Sequence, residues 1–528
     1  MIGKELSVSH PFEPIHPMGE CKENKEITEH TRFPVDTYGG RLHVEWDPEA
    51  AVTPLGQLPF FIEFLKTTQL FDELVETCPL KFTSNNASNV RDILGSMMLS
   101  VLSGHTRYSH INALRGEKVN AELLGMEKIV SEDVIRRSLL NMDEQKGVCW
   151  LENNLKKCYE PLLTIPWILD LDATVKPLYG KQEGAEIGYN PKKPGRPAHI
   201  YHGYFIANIR MALNVDVQDG KKNSGCYSMS CLWQLLESIP RENWPQFIRG
   251  DISYGTEKIM RESESRDLKY LFKIKCSSKI KALIKHNMEN NFKWEKAGHG
   301  YEGVEDRVQL YGWSSSRRVI ILRRRVNNKD VGVLKKEGKS NQFKQLKFDF
   351  AQIDNDTVAY EYSVLVTNLE NEICSLAQHY RDRGDSENNF DEFKNQWGWC
   401  GFTTHDLKRC KIIGKFIALV YDWWNIYTRL VNPDSHREAI TSRPLLLHAV
   451  GKLTEHGRQK TLTITSTHSK IEKVTKILTT ISSFFKSLQQ TAEQLTPALV
   501  LKQIIETAFR KFFKNRNKSP PLALLAPV

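Results

Sequence analysis

The stretch "IPWILDLDATVK", residues 165–176, alternates with period two: Trp167, Leu169 and Leu171 fall on one face, Ile168, Asp170 and Asp172 on the other. That pattern predicts a strand whose first face enters an apolar core. Its second face carries two carboxylates two residues apart, roughly 7 Å along a strand. A charge within a core strand is costly unless a metal, hydrogen bonds or an opposite charge accompanies it.

Working outward, "FIANIRMALNVDV" (205–217) alternates over its whole length and is expected to form one strand. "QFIRGD" (246–251), "KYLFKIK" (269–275) and "TVAYEYSVLVTNL" (357–369) read as further strands. Helical patterns at "CLWQLLESI" and "GTEKIMRESESRD" lie between them, which indicates an α/β core. Before the core, "PLGQLPFFIEFLKTTQLFDELVE" and "SEDVIRRSLLNM" have helical spacing, with Ser131 ahead of Glu132 and Asp133 as a helix start. The expected organisation is a loosely ordered arm over 1–50 and a helical domain over 51–160. A first core part over 161–288, a basic β-rich insertion over 289–352 and a second core part over 353–430 follow, and the chain closes with a helical region over 431–528.

At 528 residues the chain is long enough for several structural units, and 40% hydrophobic with 26% charged residues is the composition of a folded globular protein. The formal net charge is +10. Between Arg317 and Lys347 there are eleven Lys or Arg against two acids, an excess close to that of the whole chain. Such a stretch suits a polyanionic partner. The ten cysteines form no C-x-x-C pair, which argues against a zinc module and for a reducing compartment. No apolar run reaches the length of a membrane span, so a cytoplasmic protein is expected.

"HYRDRGDSENNFDEFK", residues 379–394, sets Tyr380, Arg383 and Lys394 at offsets of −4 or ±7 residues from Glu387, close to whole helical turns. In one unbroken helix all four side chains would share a narrow face, against which Gly384 and Asp385 count; if a new helix starts near Asp385, Glu387 and Lys394 still share a face and Tyr380 and Arg383 come from the end of the preceding helix. Taken alone, such a face is a solvated ion-pair surface. It acquires chemical meaning if Glu387 meets the strand carboxylates Asp172 and Asp251, since three such oxygen donors suit Mg²⁺ or Mn²⁺.

The spacing Y-x2-R-x3-E-x6-K resembles the signature of bacterial insertion-sequence transposases with a DDE triad. "LDLDATVKPLYGKQEGAEIGYNPKKPGRPAH" and "IRGDISYGTEKIMRESESRDLKYLFKIK" resemble their first and second aspartate blocks. The resemblance implies an RNase H-like mixed-sheet core interrupted by a β-rich insertion. It also implies Asp172, Asp251 and Glu387 as catalytic and metal-binding residues for two divalent ions, Mg or Mn. Asp172 is preferred over Asp170 because Ala173 and Thr174 follow it, as in the family. Tyr380, Arg383 and Lys394 would hold DNA phosphates, and Arg317, Arg318, Arg323, Arg324 and Arg325 would add DNA contacts from the insertion. The implied partners are double-stranded DNA, as element ends and target, and a second copy of the chain; the implied place is the bacterial cytoplasm and its nucleoid. The implied activity is cleavage at terminal inverted repeats followed by strand transfer. The alternatives are a transposase-derived DNA-binding protein without cleavage and another RNase H-like endonuclease.

Overall fold

The computed structural model describes residues 33–45, 47, 49–82, 84, 86–290, 292–326, 351–353, 359–465, 471–491 and 495–514. The chain divides into two compact units, Met1–Ala50 and Ala51–Val528. Within the first unit, expected as a loose arm, Phe33–Thr37 and Gly40–Val44 pair as an antiparallel hairpin. Gly40, at φ +107°, supplies a turn conformation that an L side chain rarely adopts.

The second unit is organised around one ten-stranded mixed sheet. Its strands are β1 (Ile168–Pro177), β2 (Ala198–Ile206), β3 (Met211–Asp219), β4 (Phe247–Gly250) and β5 (Lys269–Ile274). They continue as β6 (Glu295–Gly298), β7 (Tyr301–Val308), β8 (Arg317–Val326), β9 (Ala351–Ile353) and β10 (Ala359–Thr367). The spatial order is β3-β2-β1-β4-β5-β10-β8-β7-β6, with β9 paired to β10. β1 is antiparallel to β2 and parallel to β4, and β4 is parallel to β5. The strands within 289–326 therefore extend the core sheet through β10. The Lys-rich part of the expected insertion, 327–350, lies outside the described residues.

The stretch expected as one strand over 205–217 is a hairpin: β2 ends at Ile206, β3 begins at Met211, and Ile206 pairs with Met211. Asn208 and Arg210 make the turn with φ of +68° and +58°. Asn tolerates the left-handed region, and the Arg210 guanidinium is anchored by Glu438 at 3.3 Å, Asp385 at 3.4 Å and Glu392 at 3.6 Å.

The alternation of 165–176 separates two cores. Trp167, Leu169 and Leu171 enter the large core, with helix Leu407–Val431 and the N-terminal helices. Ile168 enters a smaller core on the opposite face with Phe247, Leu271, Leu365 and Leu376 of helix Ile373–Arg381. In the N-terminal part, Ser131 Oγ caps helix Glu132–Asn141 by accepting from Val134 N. The region expected as helical after 430 holds helices Ile471–Thr491 and Pro497–Ala508, but also the hairpin Gly451–His456 and Gln459–Ile464. Among the described residues no helix is long and apolar enough to cross a membrane.

Candidate active site

β1 and β4 lie side by side, with Asp170 opposite Arg249 and Leu171 opposite Gly250. Asp172 follows one residue later on β1 and Asp251 directly after β4, so both acids lie toward the same end of the parallel pair. Asp172 is 8% exposed, and its Oδ1 accepts from Ala173 N at 2.8 Å. Asp251 Oδ1 accepts from Ser253 N at 2.9 Å and Ser253 Oγ at 2.7 Å, a local turn that fixes the carboxylate. A Cβ at Gly250 would stand 2.7 Å from the Tyr254 ring, so glycine is what lets this buried ring pack against the strand end.

The third acid arrives on a helix. Helix Ile373–Arg381, which carries Tyr380, ends in two turn residues, and Glu387 belongs to the next helix, Gly384–Asn395. This second helix reaches β1 across Gly203, which pairs with Asp172 on β2. A Cβ at Gly203 would lie 2.9 Å from Phe390 Cζ and 2.5 Å from Phe205 Cε2. Between the strand and the helix lies Arg383: its Nη2 donates to Asp172 Oδ2 at 2.7 Å, and its Nη1 stands 3.6 Å from Glu387 Oε1.

One guanidinium thus spans acids 215 residues apart in the chain. Burial pushes the Asp172 carboxyl up to about 6; Arg383 opposes this, while the neighbouring charges of Asp251 and Glu387 add to it. Burial works against the Arg383 charge too, but Asp172, Tyr380 and Asp251 together hold the guanidinium above its ordinary value. The Arg383 Nε–H is buried without a hydrogen-bond partner among the described residues.

Among the described residues no three His, Cys, Asp or Glu side chains are grouped to hold a metal ion in this arrangement. Arg383 supplies the positive charge between Asp172 and Glu387. By the chemistry of their donor atoms, Asp172, Asp251 and Glu387 are the residues that would hold a hard divalent cation; burial is the main cause of the raised Asp172 carboxyl, and the charges of Asp251 and Glu387 add to it.

The remaining expected residues divide between this site and elsewhere. Lys394 lines a neighbouring groove of about 820 Å³ together with Arg107, Arg136 and Tyr179. Burial pulls its ammonium down, and Asp172 is among the charges that counter this. The arginines of β8 lie apart, because β5 and β10 intervene between β4 and β8, three interstrand steps or roughly 14 Å. Arg317, expected to contact DNA, has a side chain that is 4% exposed and held by Glu264 at 2.7 Å and Glu257 at 2.5 Å. Arg318 binds Glu305 and the carbonyls of Leu369 and Asn371. Arg323 pairs with Glu302 and lies 3.9 Å over the Trp294 ring, and Arg324 pairs with Glu361. Arg325 is exposed and has no ion-pair partner among the described residues.

Sequence reasoning passed over two positions, Gly203 and Arg249. Gly203 breaks the apolar run of β2 opposite Asp172, and Arg249 is a charge inside the apolar run of β4, so both had a signal in the pattern.

The family model described as Transposase DDE domain group 1 matches residues 55–485. No curated protein matches the chain. A solved structure titled "Cryo-EM structure of piggyBac transposase synaptic complex with hairpin DNA (SNHP)" is similar with a TM-score of 0.38 and 10% identity. That match covers 89% of this chain and 83% of the other. With the family model spanning most of its length, the chain belongs to the DDE transposase family.

Proposed function

We propose that this transposase cleaves and joins DNA at a site made by Asp172, Asp251 and Glu387 in an RNase H-like core. The observation that carries the reading is the Arg383 bridge between Asp172 and Glu387, with Asp251 close enough to raise Asp172. Support comes from the acids' origins: Asp172 from a central strand, Asp251 from the end of its parallel neighbour, and Glu387 from a helix that shares Arg383 with Asp172. The order β3-β2-β1-β4-β5, with only β2 antiparallel to its neighbours, supports the RNase H-like assignment.

In this reading the three carboxylates hold two divalent ions, Mg²⁺ or Mn²⁺, which when bound supply Lewis acidity and an activated water or 3′-hydroxyl for in-line displacement. Arg383 transfers its Nη2–H from Asp172 to a phosphate of the bound strand, and its spare Nε–H provides a further donor. Lys394 contributes a point charge and Tyr380 a hydroxyl to neighbouring phosphates. The 51–160 helices and the exposed Arg325 side of the sheet contact the element ends, and two copies pair the ends before strand transfer. The cell is bacterial, and the protein is cytoplasmic and on the nucleoid when bound to DNA.

The test is Mn²⁺- or Mg²⁺-dependent cleavage of DNA carrying the flanking ends of the gene, by wild type and by Glu387→Gln. Wild type is expected to cut at the element boundary and the variant to bind the ends without cutting. Equal cutting by both would displace the active site from Glu387. Binding by both with cutting by neither, under either ion, would favour a DNA-binding derivative.

A further inference from the structure

We propose that Arg249 and Asp170 are positioning residues that lock the two aspartate strands to the helix before Glu387, so that the acids converge; the proposal rests on the site described under Proposed function. Asp170 and Arg249 face each other directly across the parallel pair β1–β4. Asp170 stands two residues before Asp172 and shares its sheet face, and Arg249 stands two residues before Asp251, the acid that directly follows β4. They are 2% and 0% exposed.

Each of the three guanidinium nitrogens donates a hydrogen bond, and together these bonds tie three elements. Nε and Nη2 grip the two oxygens of Asp170, with Nη2 to Oδ2 at 2.9 Å. Nη1 donates to the backbone carbonyl of His379, in the last turn of helix Ile373–Arg381. The His379 ring also packs edge-on against Phe247, two residues before Arg249, with centroids 5.3 Å apart. Four residues beyond His379, Arg383 returns to Asp172. A closed circuit results: Asp172 to Asp170 along β1, across to Arg249, up to His379, along the chain to Arg383, and back to Asp172.

Stability alone does not account for this arrangement. A buried ion pair contributes little net stability, and an apolar pair of similar size commonly serves as well. The bidentate fork with a third donor has geometric consequences that such a pair lacks, and lysine cannot reproduce it. A shift of about 1 Å in a reacting group can cost about 100-fold in rate, so the circuit is expected to act on the site more than on folding.

The variants are Asp170→Leu/Arg249→Met, an apolar replacement of the pair, and Arg249→Lys, which keeps the charge and loses the fork. Each full-length protein is compared with wild type in thermal unfolding, affinity for end DNA, single-turnover cleavage, and Mn²⁺ binding followed by electron paramagnetic resonance. Expected are folded proteins that bind end DNA within about threefold of wild type. Cleavage should fall about 100-fold and Mn²⁺ binding at least about tenfold. A folded apolar variant with wild-type cleavage and Mn²⁺ affinity overturns the proposal. If that variant does not fold, Arg249→Lys decides by the same readouts. Activity lost only in proportion to folded protein also overturns it. A wild type that neither binds Mn²⁺ nor cuts removes the functional reading and this proposal with it, an outcome distinguishable because it appears before any substitution.

Discussion

The acid end of β1 and β4 and the arginine strand β8 are both rich in charge, and they differ in how that charge is compensated. On β8, Arg317, Arg318, Arg323 and Arg324 each meet at least one glutamate. At the acid end, Arg383 serves Asp172 and Glu387 together and Asp251 adds a third negative charge; burial raises Asp172, and Asp251 and Glu387 add to that rise. Charge is thus matched residue by residue on β8 and shared through one guanidinium at the acid end, where the proposed site lies.

The sharpest way to break this contrast is to neutralise each region in turn. Asp172→Asn and Asp251→Asn are expected to lower end cleavage by at least about 10²- to 10³-fold while leaving a folded protein, as read by single-turnover cleavage beside thermal unfolding. On β8 the expectation reverses. Arg317→Ala strands Glu257 and Glu264 and should cost about 3 kcal/mol of stability, in the range for breaking a buried ion pair, measured by denaturant unfolding. Wild-type stability in Arg317→Ala with a cleavage defect would remove the distinction between the two regions.

Gly203→Ala sharpens the comparison from the packing side. The added methyl meets Phe390 and Phe205, so about 1–3 kcal/mol of overpacking and a retreat of the Glu387 helix are expected. Cleavage should fall further than the loss of folded protein explains. At Arg325, which is exposed and without a described ion-pair partner, alanine should leave stability within about 0.5 kcal/mol. It should lower the salt dependence of DNA binding by about one unit of slope.

The smallest effect concerns pH. Glu392 on the Glu387 helix is buried; burial raises its carboxyl, but His436 at 2.8 Å, Trp397 and Ala439 outweigh this and hold it below its ordinary value of 4.5. Its contribution is therefore present above pH 4.5 and is lost as pH falls through the lower folded value. The melting temperature of wild type should drop more steeply below pH 4.5 than that of Glu392→Gln.

Much of the sheet was legible because burial on opposite faces imposes period two, which 165–176 and 359–367 show plainly. The β2–β3 turn was not, since Asn208 and Arg210 make it without glycine or proline and the apolar alternation runs through it. The hairpin after Gly451 was missed between stronger helical patterns on either side. In the site, the Y-x2-R-x3-E-x6-K spacing pointed to Arg383 and Glu387, and "DLDAT" to Asp172. The compensation of Arg317 was hidden, because its partners Glu257 and Glu264 lie 60 and 53 residues away in the chain. Charge counts along a sequence register the arginines but not the folded distances that neutralise them.

The central claim is that Asp172, Asp251 and Glu387 form one cation site. Its most direct test is to bind Fe²⁺ in place of Mg²⁺, generate hydroxyl radicals with ascorbate and peroxide, and map the backbone cuts by mass spectrometry. The account predicts cuts clustered at three places, beside residues 172, 251 and 387, each suppressed by excess Mg²⁺ and all weakened together by Asp172→Asn. Cuts at one of these places alone, or a pattern that Asp172→Asn leaves unchanged, would contradict it.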